Sequence, residues 1–150
     1  MVVASGRLYV GNGNRLLALD NQGQLVWNFR KSDGLQSMAE RPDGSVLLTG
    51  SRTLTAISAQ GQTLWDADIH VHHSLDPNGF TRVPTLAVDN AGTAHVGTAD
   101  GRVVVIDRTG RITARVPAGG YHDGFTPLVM LGPSHTLVAS GNDSVVRVYQ

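Results

Sequence analysis

Leu16-Leu17-Ala18-Leu19-Asp20-Asn21-Gln22-Gly23-Gln24-Leu25-Val26-Trp27 aligns without a gap on Leu54-Thr55-Ala56-Ile57-Ser58-Ala59-Gln60-Gly61-Gln62-Thr63-Leu64-Trp65, 38 residues downstream. Each stretch runs from an apolar strand through a Gly turn into a second strand bearing a tryptophan. A third copy, Val103-Val104-Val105-Ile106-Asp107-Arg108-Thr109-Gly110-Arg111-Ile112-Thr113-Ala114, places its glycine 49 residues after Gly61, and the excess fits an insertion around His70 to Phe80. A fourth copy, Val145-Val146-Arg147-Val148-Tyr149-Gln150, reaches the last residue.

Working outward from the third copy gives the whole unit. Residues 84–89 read as a first strand and Asn90-Ala91-Gly92 as a turn. Residues 93–98 are a second strand closed by Asp100-Gly101, a strong hairpin signal. Residues 102–107 and 111–116 are a third and a fourth strand around Arg108-Thr109-Gly110, with glycine placed for positive φ. Four short antiparallel strands every ~40 residues is the spacing of a propeller blade. Arg15-Leu16-Leu17-Ala18-Leu19 and Val103-Val104-Val105-Ile106 are apolar on both faces, as expected of a sheet sandwiched between other sheets. The spacing predicts an all-β chain: a partial β-propeller of about four four-stranded antiparallel blades, over residues 2–30, 35–69, 82–117 and 124–150. The last blade lacks its fourth strand. A β-sandwich is the competing all-β fold, but a sandwich needs no repeat.

Composition narrows the function classes. Twelve basic and twelve acidic residues give zero formal net charge, which removes the electrostatic case for nucleic acid or an anionic membrane surface. The absence of cysteine excludes disulfides and thiolate chemistry. No apolar run approaches the roughly 20 residues of a membrane helix, and Met1 to Arg7 has neither the basic nor the apolar segment of a signal peptide. Eighteen glycines against three phenylalanines point to many tight turns between short strands.

The stretches Ala18-x-Asp20-x-x-Gly23-x-x-x-Trp27 and Ala56-x-Ser58-x-x-Gly61-x-x-x-Trp65, with Leu8-Tyr9-Val10-Gly11 before them, resemble the pyrroloquinoline-quinone-like (PQQ-like) repeat family. The resemblance implies that Trp27 and Trp65 dock against the adjacent blade, and that Gly23, Gly61 and Gly110 form the turns involved. Gln22 and Gln60 depart from the family's Thr before the glycine, and Ala114 replaces the third tryptophan. The resemblance extends to quinoproteins and to the outer-membrane assembly lipoprotein, and so implies an extracytoplasmic bacterial location.

Two connections between blades carry candidate ligand-binding groups. One is His70-Val71-His72-His73-Ser74-Leu75-Asp76-Pro77-Asn78-Gly79-Phe80, and the other is Gly119-Gly120-Tyr121-His122-Asp123-Gly124-Phe125-Thr126. Their imidazoles (His70, His72, His73, His122) are metal-ligand candidates. His72, His73, Asp76, Tyr121, His122 and Asp123 are candidates for a metal-free ligand loop. Gly11-Asn12-Gly13-Asn14 is a turn, with no following helix to bind phosphate. His95, mid-strand, reads as structural. Asp20 and Asp107 are expected to cap the turns that follow them.

No catalytic residue is assigned. The expected function is a non-catalytic binding or scaffolding module with a protein or peptide partner, forming a piece of a ring of roughly six to eight blades. A homodimer of half-rings is a second way to complete it. The alternative is an enzyme of quinoprotein type. PQQ with Ca²⁺ would then need ligands from blades outside these residues, since Glu40 is the only glutamate.

Overall fold

A computed structural model describes residues 2–4, 6–69, 84–98, 100–118, 128–131, 137–140 and 146–149, with the backbone alone for 2–4 and from 128 onward. Every element among them is a β-strand. The first sheet contains β1 (Val2–Ala4), β2 (Arg7–Asn12), β3 (Arg15–Leu19) and β4 (Leu25–Arg30). The second contains β5 (Ser37–Glu40), β6 (Val46–Thr49), β7 (Thr53–Ile57) and β8 (Thr63–Asp68). The third contains β9 (Thr85–Val88), β10 (Ala94–Thr98), β11 (Arg102–Ile106) and β12 (Ile112–Pro117), and the last β13 (Leu128–Leu131), β14 (Leu137–Ser140) and β15 (Val146–Tyr149). Strand order follows sequence order in each sheet, and all pairs are antiparallel. The first strands β1, β5, β9 and β13 neighbour one another in turn. That is the arrangement of propeller blades around an axis, here as an open arc.

One turn design recurs wherever the third strand passes to the fourth. Asp20 N–H donates to the Gln24 carbonyl at 2.9 Å, and Gly23 N–H donates back to the Asp20 carbonyl at 3.1 Å. Ser58, Gly61 and Gln62 repeat the pattern, as do Asp107, Gly110 and Arg111. The glycines have φ of +78°, +86° and +91°, a region costly for residues with a Cβ. Asp20 Oδ1 accepts the N–H groups of Gln22 (2.9 Å) and Gln24 (2.8 Å), and Asp107 Oδ1 those of Thr109 (2.8 Å) and Arg111 (3.1 Å). Both side chains therefore cap their turns as the sequence predicts. Ser58 Oγ does the same at 3.2 Å for Gln60 and Gln62. Each turn follows a register slip at the same place, between Ala18/Leu19, Ala56/Ile57 and Val105/Ile106.

The cores lie between sheets. Tyr9, Leu16 and Ala18 of the first sheet meet Val46, Leu48 and Ile57 of the second, with Trp27, Phe29, Leu35 and Met38 at the margin. The opposite face of the second sheet presents Leu47, Leu54, Ala56 and Ala67, with Ile69 just beyond β8, to Ala94, Val96, Val104 and Ile106. All of β6 is therefore buried. Its alternate residues serve two cores, which explains the continuous apolar run. Full burial of side chains such as Leu47 and Leu48 stabilises the seams by about 1.5–3 kcal/mol each.

Candidate functional site: the seams between blades

The seam between the first two blades is closed at its rim by an indole. Trp27 projects from β4 onto the Gly61 turn, and its Nε1–H donates to the Ala59 carbonyl at 3.0 Å. A Cβ at Gly61 would stand 2.8 Å from Trp27 Cδ2 and 2.9 Å from Cγ. Glycine is thus required twice, for its positive φ and for the ring above it. Trp65 repeats the contact on the next seam, with Nε1–H donating to the Arg108 carbonyl at 3.0 Å and the ring over Gly110. Each indole packs in its seam through its rings and satisfies its polar edge on a backbone carbonyl.

A guanidinium joins each indole on the same carbonyl. Arg7 donates to Ala59 O. Arg41, 3% exposed, donates Nη2–H to Arg108 O at 3.1 Å. Its guanidinium carbon also lies 5.9 Å from the centre of the Trp65 ring, within cation–π range. The repeat alignment could not reveal these arginines, because Arg7 aligns with Ser45 and Arg41 with Val3. The same carbonyl is reached from different strand positions.

At the opposite end of the first seam lies a buried charged cluster that sequence reasoning missed. Lys31, 3% exposed, reaches Asp33 Oδ1 (2.8 Å), Thr53 Oγ1 (2.5 Å) and Thr55 Oγ1 (2.8 Å). Asp33 Oδ2 accepts from Arg52 N (2.9 Å), Thr53 N (2.9 Å) and Thr53 Oγ1 (3.1 Å). Burial pushes the Asp33 carboxyl up, but Lys31 and these backbone donors together hold it below the usual carboxylate range. Gly50 makes room, since a Cβ there would overlap the Asp33 carboxylate. The signal available in the sequence was that Lys31 is the only lysine.

Between the second and third blades a groove of about 400 Å³, lined by Arg41, Pro42, Asp43, Asn90, Gly92 and Arg108, opens beside the Trp65 clamp. Two of its carboxylates, Asp43 and Asp89, are committed to turns. Asp43 Oδ1 accepts from Ser45 N (3.0 Å) and Ser45 Oγ (2.5 Å). Asp89, in the adjoining part of the groove, accepts from Ala91 N and Thr93 N. Burial raises both carboxyls, and the turn hydrogen bonds outweigh it, so both lie low. His95, a strand residue as predicted, has Nε2 3.6 Å from Asp89 Oδ2. Desolvation pushes its pKa down, against the opposing pull of Asp89. Arg41, Asn90 and Arg108 thus line the groove with polar groups, and the His95–Asp89 pair stands at its adjoining part.

Among the predicted docking residues, the structure brings Trp27 to Gly61 and Trp65 to Gly110. Gly23 stands apart, with nothing within 4 Å of its Cβ position. The loop candidates His70, His72, His73, Asp76, Tyr121, His122 and Asp123 lie outside the described residues. Their flanks are placed, however. Ile69 N–H donates to Arg52 O at 2.9 Å and Ala118 N–H to Gly101 O at 2.8 Å. Both connections thus start at the same end of adjacent blades, beside the second-to-third-strand turns. Among the described residues no group of three or more His, Cys, Asp or Glu side chains could hold a metal. No helix there is long and apolar enough to cross a membrane.

The family model described as outer membrane protein assembly factor BamB matches residues 1–146. The chain belongs to the BamB family. Among solved structures, BamB from Moraxella catarrhalis is similar at 20% identity and a TM-score of 0.75, over 96% of this chain and 46% of that one. This BamB-family chain therefore spans about half the length of that relative. The computationally designed Ika4 protein matches at 18% identity and a TM-score of 0.73, over 98% of this chain and 86% of its own. A streptogramin B lyase matches at 15% identity and a TM-score of 0.66, over 99% and 55%. No curated protein sequence matches. At these identities the structures establish the propeller fold, and a fold does not fix an activity.

Proposed function

We propose that this chain is a non-catalytic binding and scaffolding module for a protein or peptide partner, working as part of a larger ring in the manner of an outer membrane protein assembly factor. The BamB family match over residues 1–146 carries the reading. The geometry supports it. Four of the described carboxylates, Asp20, Asp43, Asp89 and Asp107, cap turns, while Leu25 (55%), Val26 (46%) and Leu64 (52%) stay exposed on the outer strands. Apolar side chains beside unpaired strand edges are groups that an extended partner segment pairs with.

The test is photo-crosslinking from a benzophenone amino acid at Val26 or Leu64 in the source cells. A discrete adduct that disappears when Leu25, Val26 and Leu64 are changed to Ser supports the reading. Absence of any adduct, together with quinone absorbance retained after incubation with PQQ and Ca²⁺, turns it toward a quinoprotein. The histidine-bearing connections around His70, His72, His73, Asp76, Tyr121, His122 and Asp123 would form a second contact face. Their start at one end of adjacent blades favours this. A Zn²⁺ titration giving neither heat nor thermal shift limits them to metal-free contacts.

A further inference from the structure

The groove between the second and third blades lies on the end formed by the first-to-second and third-to-fourth turns, opposite the end where the histidine-bearing connections start. Glu40 and Val88 end first strands, next to the axis, and Arg108 stands in the turn to an outer strand, so the groove runs radially. Arg41 lines both its inner and its outer part and is itself only 3% exposed. Its Nη2–H donates to Arg108 O at 3.1 Å, but its Nε–H is buried without an acceptor. Among the described residues neither Arg41 nor Arg108 has a carboxylate within ion-pair distance. Both charges act on the Asp43 carboxyl through space, yet Asp43 Oδ1 is committed to Ser45. A buried guanidinium without a counter-ion is costly. The seam itself does not require the second arginine. In the first seam Trp27 and Arg7 share the Ala59 carbonyl in the same way, and the turn residue aligned with Arg108 is Ala59. The Arg108 side chain is exposed.

We infer that this groove is a binding site for a single carboxylate of a peptide partner, held between the guanidinium groups of Arg41 and Arg108. Planar guanidinium forks match the two oxygens of a carboxylate. The remaining lining sets the class of ligand. Glu40 and Asp89 line the inner part and Asp43 the outer part, so a phosphate dianion or a polyanion meets three carboxylates. One acidic side chain on an otherwise neutral chain instead places its charge at the arginines, and its amide groups at Asn90 and the acidic inner end. The inference deepens the binding-module reading and rests on it for the peptide as the source of the carboxylate.

The test follows the two indole N–H signals of the chain by NMR while blocked peptides, N-acetyl-Ala-Asp-Ala-amide or N-acetyl-Ala-Asn-Ala-amide, are added. Trp65 shares the Arg108 carbonyl with Arg41, so its signal should move with the Asp peptide. Trp27, in the other seam, is the internal reference. The Asp peptide should bind about tenfold more tightly than the Asn peptide. Arg108→Gln keeps the carbonyl that the indole uses, and it should remove most of that preference. Asp43→Asn keeps an oxygen for Ser45 and removes a competing charge, so it should tighten binding of the Asp peptide. A Trp65 signal that stays in place, equal movement of Trp27 and Trp65, equal affinities for the two peptides, or an unchanged preference in Arg108→Gln overturns the inference. So does inorganic phosphate that displaces the Asp peptide at or below the peptide's own concentration, since a free anion would then be the occupant. The outer-strand crosslinks from Val26 and Leu64 do not depend on these guanidinium groups, so this inference and the binding-module reading fail separately.

Discussion

Replacing Gly61 with Ala tests the docking of Trp27 against an internal control. Gly23, Gly61 and Gly110 have the same turn and nearly the same φ, so a Cβ brings the same backbone cost at each, about 1–2 kcal/mol. At Gly23 nothing lies within 4 Å, and the backbone cost is the whole effect. At Gly61 the new methyl meets two indole ring carbons at 2.8 and 2.9 Å, well inside carbon–carbon contact distance. Neither turn nor ring can yield without displacing the other. Overpacking of this kind costs roughly 1–3 kcal/mol. Lifting the indole also breaks its 3.0 Å bond to Ala59 O, worth about 1 kcal/mol. Gly61→Ala should therefore exceed Gly23→Ala by about 2–4 kcal/mol. With a urea slope of about 2 kcal/mol/M, the Gly61→Ala midpoint should lie a further ~1–2 M below that of Gly23→Ala. Equal shifts would show that the indole contributes nothing to the seam, and the docking argument would be wrong.

Trp27→Phe keeps most of the ring and loses the donor to Ala59 O; urea titration should show a loss of about 1 kcal/mol. Lys31→Met leaves Asp33 without its 2.8 Å cation, and a loss of about 3–5 kcal/mol is expected in the same assay. Gly50→Ala should act on that cluster by displacing Asp33, and its effect should shrink in a Lys31→Met background if the two act through one carboxylate. His95 gives the pH prediction. Burial depresses its folded pKa below the ordinary 6.5, so its contribution is complete above that value and is lost as pH falls toward the folded pKa. Thermal midpoints at pH 7.5 and 5 should differ less in His95→Gln than in the parent chain, and an equal pH slope would refute the assignment. The depressed carboxyls Asp33, Asp43, Asp89 and Asp107 act lower, with stability lost as pH falls from about 4 through their folded values.

What the sequence revealed and what it hid follow from how each feature is encoded. The blades were legible because a strand with two buried faces and a turn that demands glycine leave local marks every ~40 residues. The Trp–Gly contact was legible only through resemblance, since its partners come from different blades and no local pattern joins residue 27 to residue 61. The arginines escaped notice for a further reason. A carbonyl can be approached from several strand positions, so Arg7 and Arg41 reach equivalent acceptors from non-equivalent places. Lys31 and Asp33 were hidden in the same way, in a connection where polar side chains ordinarily face solvent.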